Sequence, residues 1–463
     1  MMIHLSKSLQ RICLLLFVVA AMAISPGTVA TQPTTVVVDA DTMALDGNVS
    51  SVANLLANKG SDGKISFREA LLAVNNTGPG HTIKFNLPHG TRLFYNGTLF
   101  LTASHTTIDG DVSGNGKPDV LFASPDQFVW MQVSSDNNTF RNLAFISLEL
   151  DGNGAHHNTV TDSYIGTDID GVQARSDLGN GLVLDNGAHN NIIENNIVGG
   201  RRFTIISGQT VVGTGILIED GSHDNIVRGN RIGVNVNGAA IPNGFGVGIE
   251  DGASNNTIGG NRSSVGCDNP CNVISSNDDG VGINNVNNPG LPTTGNLILG
   301  NYIGVSPDGQ NSMPNTGAGV QIFDGATHNI IGGERSGVAC DGPCNVISSN
   351  NGNGVLITGK DTVNNRVLGN YIGLSADGSK KLPNGKTESD GSVIDNLPAI
   401  MLSQGASQTI VGGERSGTSC DGPCNVISGN NATGIGIKGV YSDTQTINNQ
   451  VLGNFIGVTP DGT

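Results

Sequence analysis

Several groups of side chains have the types and spacing to do chemistry, and the cysteines are the most regular of them. Apart from Cys13 they come only as three Cys-x-x-x-Cys pairs, Cys267 with Cys271, Cys340 with Cys344 and Cys420 with Cys424. A zinc site would want two such pairs facing each other, and dithiol redox chemistry would want Cys-x-x-Cys in a thioredoxin-like neighbourhood. Neither context is present, while Pro270, Pro343 and Pro423 bend each loop. The pairs are therefore expected to close as three local disulfides. Loops this small remove little entropy from the unfolded chain, so their expected role is to stiffen a lateral loop.

Oxygen ligands recur at alternate positions in Asp111-Val-Ser113-Gly-Asn115-Gly-Lys-Pro-Asp119. That spacing resembles calcium-binding loops, with Asp111, Ser113, Asn115 and Asp119 as the ligands, and calcium is the one cofactor the sequence suggests. An Asp- and Gly-rich turn accounts for the same residues equally well. The stretch from Asn58 to Glu69 echoes such a loop too, but Gly60 stands where a ligand belongs, and Glu69 reads better as a helix-capping residue. His156, His189 and His223 each stand two residues before an asparagine, at Asn158, Asn191 and Asn225. A histidine column could bind metal or sense pH. Ser254, Thr327 and Ser407 fill the same place later in the chain, which favours any small polar turn residue. Asp278-Asp279 is a pair of adjacent carboxylates, for which a solvated turn is the commoner meaning.

These residues need elements to hold them. At the amino terminus Lys7 and Arg11 precede an apolar run from Ile12 to Ile24, with small residues at Thr28 and Ala30. Residues 1–30 are read as a signal peptide, so the mature chain is expected to be secreted or on the cell surface, with no membrane span. The formal charge is −16, and losing Lys7 and Arg11 makes it more negative still. Nucleic acid is an unsuitable partner, because phosphate binding needs a basic face. Gly at 68 of 463 residues with 4% aromatics suits many short strands joined by tight turns.

Internal repeats identify the architecture. Asn256-Thr-Ile-Gly-Gly returns 73 residues later as Asn329-Ile-Ile-Gly-Gly, and 80 beyond that as Thr409-Ile-Val-Gly-Gly. Each copy carries Cys-Asp-(Gly/Asn)-Pro-Cys-Asn-Val-Ile-Ser. A shorter phrase, Asn followed by two or three mostly apolar residues, begins at Asn158, Asn191, Asn225, Asn256, Asn272, Asn296, Asn329, Asn345, Asn365, Asn425 and Asn449. Counting three phrases between Asn256 and Asn329 predicts about 24 residues per coil of a solenoid. Stacked coils would enclose a continuous apolar column, and Asn at one turn of every coil would form a ladder of side-chain amides. Asp308 and Asp377, in Asp-Gly turns, are expected to be replaceable at little cost.

The predicted fold is all-β, a right-handed parallel β-helix with a short N-terminal cap containing one helix. The cap and first coils are assigned to residues 31–125 and the repeats to 126–463, with the array expected to continue beyond 463. Ser66-Phe-Arg-Glu69 has capping-box spacing and starts the cap helix, with Phe67, Ala70, Leu71 and Val74 on one face.

On these repeats the chain resembles the pectate-lyase-like superfamily of right-handed parallel β-helices. More narrowly it is similar to bacterial β-helix repeat proteins whose opening segment reads Cys-Ser-Leu-Arg-Glu-Ala, here Ile65-Ser66-Phe67-Arg68-Glu69-Ala70. The resemblance implies two catalytic schemes, an acidic calcium site with an Arg base, or Asp residues with Gly-His-Gly and Arg-Ile-Lys downstream. Asp278-Asp279 matches part of the second, and its His and Arg-Lys partners are missing. Aromatics for stacking on sugars are scarce, with Trp130 the sole tryptophan. The expected function is therefore a non-catalytic extracellular or cell-surface repeat protein, a stalk or adhesin binding polysaccharide or another surface protein. The alternative is a polysaccharide lyase or glycoside hydrolase acting on a uronate-containing polymer.

Overall fold

The computed structural model describes residues 33–463, apart from 96, 124–130, 176–178, 202–203, 207–208, 212, 289, 387–396, 416 and 440–444. Residues 1–30, read as a signal peptide from the sequence, and Trp130 lie outside the described residues. Among those described, three parallel sheets of 13, 11 and 12 strands run the length of the molecule, and each strand pairs with its counterpart one coil away. The chain is a right-handed parallel β-helix.

One coil shows why the sequence folds this way. Leu182–Asp185, Ile192–Glu194 and Ile197–Val198 are three short strands. The turns before and after the second are made by Asn190 and Asn195, which take φ values of 55° and 57°. Asn tolerates this left-handed conformation where other residues with a Cβ resist it. Leu184, Ile193 and Val198 point inward and are fully buried. Ile193 stacks in register on Val160 and Val227, so one apolar column extends from Val36 to Ile427. Each such side chain contributes about 1.5–3 kcal/mol of burial that a lone coil could not provide.

The asparagine ladder is present, and it is threefold. One runs through Asn158, Asn191, Asn225, Asn256, Asn296, Asn329 and Asn365. A second runs through Asn196, Asn230, Asn272, Asn301, Asn345, Asn370, Asn425 and Asn454. A third runs from Asn243 through Asn277, Asn315, Asn350 and Asn384 to Asn430. The rungs are alike. Asn329 Oδ1 accepts the backbone N–H and side-chain amide of Asn296, both at 3.0 Å, while Asn329 Nδ2 donates to Thr293 O at 3.3 Å.

This corrects the expected coil length. Asn256 and Asn329 are separated by two coils, of 40 and 33 residues. Asn272 belongs to a different turn of the same coil. At Thr409 the first ladder is interrupted, and its buried hydroxyl has no partner among the described residues.

The cap contains two helices where the sequence predicts one. Helix α1 (Val52–Ala57) is capped by Ser51 and buries Val52 and Leu55; at six residues it shows no periodicity to read. Helix α2 (Phe67–Thr77) begins with the expected capping box, Ser66 Oγ accepting from Glu69 N at 3.2 Å and Glu69 Oε2 accepting from Ser66 N at 2.9 Å. Glu69 Oε1 also accepts the amides of Asp46 and Gly47, tying the helix to the preceding loop. The Phe67 ring packs against Phe85 and Phe122, with centroids 5.7 and 4.9 Å away. The apolar column is thereby covered at this end.

Candidate functional site

The outer face of the 11-stranded sheet gathers the most varied chemistry. Along Leu99–Leu101, Met131–Val133 and Leu148–Asp151 the alternate residues Leu99, Leu101, Met131, Val133, Leu148 and Leu150 are buried. The residues between them, Phe100, Gln132 and Glu149, pair in register and form a row across three coils. At about 4.8 Å per strand the row is about 10 Å long. Phe100 is 53% exposed at one end.

At the other end the carboxylate oxygens of Glu149, Asp151 and Asp185 lie within 4.8 Å of one another. Gln132 Nε2 donates to Asp151 Oδ2 at 2.6 Å, Asn186 Nδ2 to Asp151 Oδ1 at 2.7 Å, and Asn186 N to Asp185 Oδ1 at 2.8 Å. Asp151 and Asp185 are register partners, and in the next two coils Glu219 and Glu250 directly follow the paired strands Thr214–Ile218 and Phe245–Ile249. An all-oxygen donor set suits a hard cation such as calcium and not zinc. The sequence contains a signal for this column: in four successive coils this place reads Leu-Asp, Leu-Asp, Ile-Glu and Ile-Glu.

The sequence-predicted calcium loop is bonded to itself. Asp111 Oδ1 accepts the amides of Gly114 and Asn115, and Asp111 Oδ2 that of Gly116. Asn115 Oδ1 accepts Lys117 N. Asp119 Oδ2 accepts Val112 N and Ser113 N, while its Oδ1 meets His89 Nδ1 at 2.7 Å. Burial raises the Asp119 carboxyl, but the Ser113 amide and His89 together hold it below the ordinary carboxylate range.

Asp278 and Asp279 are half-buried at the start of Asp279–Ile283. Burial is the main cause that pushes Asp279 up to about 6; the Ala318 amide at 2.7 Å opposes it and the charge of Asp278 adds to it. The turn aspartates behave in the opposite way. Asp377 Oδ1 accepts Ser375 Oγ at 2.6 Å and Ser379 N at 3.0 Å, which brings its carboxyl to about 2. Asp308 is held low by Ser306 and the Gln310 amide. These side chains staple their turns, so replacing them removes hydrogen bonds as well as a charge.

The three cysteine pairs are disulfides, with Cα–Cα distances of 5.1, 5.2 and 5.2 Å. With Tyr302, Val346, Tyr371 and Val426 they form a second apolar core on the flank. Sequence reasoning missed what locks it. Arg262 Nη2 donates to Cys340 O at 2.6 Å and Cys344 O at 2.8 Å, and Arg335 Nη2 does the same for Cys420 O and Cys424 O at 2.7 and 2.8 Å. Each guanidinium also lies over a tyrosine, Tyr302 or Tyr371. The signal was the Arg at a fixed place after each Gly-Gly, at Arg262, Arg335 and Arg415.

No family model matches the chain, and no curated protein matches it. Among solved structures, the Azotobacter vinelandii mannuronan C-5 epimerase AlgE4 A-module is 14% identical, covering 80% of this chain and 91% of its own, with a TM-score of 0.43. The Dettilon tailspike protein is 14% identical over 80% of this chain and 64% of its own, at a TM-score of 0.44. The pectate lyase Pel9A is 14% identical over 90% and 82%, at 0.31. All are parallel β-helix proteins. Among the described residues no helix is long and apolar enough to cross a membrane.

Proposed function

We propose that the chain is an exported, non-catalytic repeat protein that binds polysaccharide along the outer face of its 11-stranded sheet. The observation that carries this reading is the row Phe100, Gln132, Glu149 beside Asp151 and Asp185. An exposed aromatic ring offers an apolar face to the C–H side of a sugar, and the adjoining amides and carboxylates take its hydroxyls. Export is supported by three closed disulfides, which persist in oxidising compartments. A non-catalytic role is supported by the likeness of the repeat units to one another, since an active site is a local exception to such a pattern.

Calcium belongs to the same proposal. Three clustered carboxylates on a chain of charge −16 repel an anionic polymer unless a divalent cation intervenes. Glu149, Asp151 and Asp185 would hold it in competition with Gln132 and Asn186; Asp111, Ser113, Asn115 and Asp119 are the second place to look, where an ion must compete with the loop's own amides. Neutral glycans are expected to bind with or without calcium, and uronate polymers only with it. Affinity electrophoresis of the purified protein through both classes of polymer, with calcium and with chelator, tests this. Retention by no polymer in either condition overturns it.

One observation favours the enzymatic alternative. A carboxyl near 6 at Asp279, beside Asp278, has the value wanted of a general acid or base. The same polymers assayed for reducing ends or unsaturated uronate products decide it, with product formation abolished by Asp279→Asn as the supporting result.

A further inference from the structure

We infer that His156 and His157 form a binding site for one divalent transition-metal ion of tetragonal preference, Cu²⁺ or Ni²⁺. Their Nδ1 atoms face each other at 2.8 Å, so in the metal-free chain one ring donates a proton to the other's lone pair. An ion held by both lies off the N···N line, so once the shared proton is lost each ring turns its lone pair toward it, which the exposed His157 ring has room to do while the nitrogens stay close. At metal–nitrogen distances of about 2.0–2.1 Å, a 2.8 Å separation subtends about 85–90°, the cis angle of square-planar and octahedral sites. A tetrahedral zinc site would need the nitrogens about 3.3 Å apart.

The fold sets this geometry. Adjacent side chains on an extended strand diverge, but His157 has φ 55°, and the turn brings both rings to one side at an interplanar angle of 87°. The His156 ring is backed by His189, centroids 5.0 Å apart, and His189 by His223 at 4.8 Å. Both stacked rings are engaged elsewhere through Nδ1, His189 with Gly187 O and His223 with Asp224 Oδ2. His157 is exposed, leaving the remaining coordination positions to water. The column continues as Ser254, Thr294 and Thr327, so the site occurs in one coil.

The test uses tag-free, chelator-treated protein and copper(II) chloride, read by calorimetry and by electron paramagnetic resonance. The expected result is one ion per chain with nitrogen couplings from two imidazoles. The place of His157 is taken by Asn137 and Asn190 in the adjoining coils, both at positive φ, so His157→Asn should fold normally. It is expected to weaken copper binding at least tenfold and leave at most one coupled imidazole, while His223→Gln changes neither. Undiminished affinity and two couplings in His157→Asn would overturn the assignment, as would zinc binding more tightly than nickel.

Discussion

The coils before Asn256 and those after it share one interior and differ on their flanks. Asn191 and Asn329 make the same bonds to the coils on either side, and the inward residues of both halves are the same buried Ile, Val and Leu. Outside, the later half repeats one device three times, a disulfide loop, with an arginine from the preceding unit clamping two of the three. The earlier half carries the exposed Phe100, the carboxylate cluster and the stacked histidines, each made once. Stacking fixes only what faces inward. The outer surface is free either to copy a brace or to vary for binding.

The largest effect should come from the brace. Arg335→Ala leaves the buried carbonyls of Cys420 and Cys424 without their charged donor and is expected to cost about 2–4 kcal/mol. Hydrogen exchange should rise around residues 335–430 and stay unchanged in the earlier half. Uniform loosening of both halves would break the distinction between them.

Next come the ladders. Asn191→Ala and Asn329→Ala should each cost about 1–3 kcal/mol, and by equal amounts, because each orphans the same kind of buried turn amide. Chemical denaturation that finds one costly and the other neutral would mean the interiors are not equivalent.

A smaller effect separates two carboxyls. Asp279 is raised in the folded chain, so its ionisation penalty appears as pH climbs from about 4 and is complete above about 6. Asp279→Asn should therefore stabilise by about 1 kcal/mol at pH 7–8, discounted for its partial exposure, and do nothing below about pH 4. Asp377 is depressed to about 2, so its contribution is present above about pH 4 and is lost as pH falls through 2. Asp377→Ala should destabilise slightly at neutral pH, and the difference should shrink as pH falls through 2. Thermal melts across pH check both signs.

What the sequence made legible follows from the same division. Stacking stamps an identical phrase on every coil, so the β-helix, the apolar column and the disulfide pairs could be read directly. The coil length was misjudged because Asn256 and Asn272 introduce strands of different sheets in nearly the same words, so counting phrases counted turns. The arginine clamps join residues 78 and 85 apart, beyond the reach of any local motif. The row Phe100, Gln132, Glu149 exists only when three coils are laid in register. Asp111 and Asp119 had ligand spacing, but spacing does not reveal that backbone amides of their own loop take up those oxygens.

The most direct test of the account is polysaccharide retention by three proteins: the wild type, Phe100→Ala, and the double variant Cys340→Ser with Cys344→Ser. Phe100→Ala should lose most of the retention while melting normally, and the disulfide variant, though less stable, should be retained like the wild type at temperatures where it remains folded. Retention that survives Phe100→Ala and disappears with the Cys340–Cys344 bridge would contradict it and move the binding surface to the repeated flank.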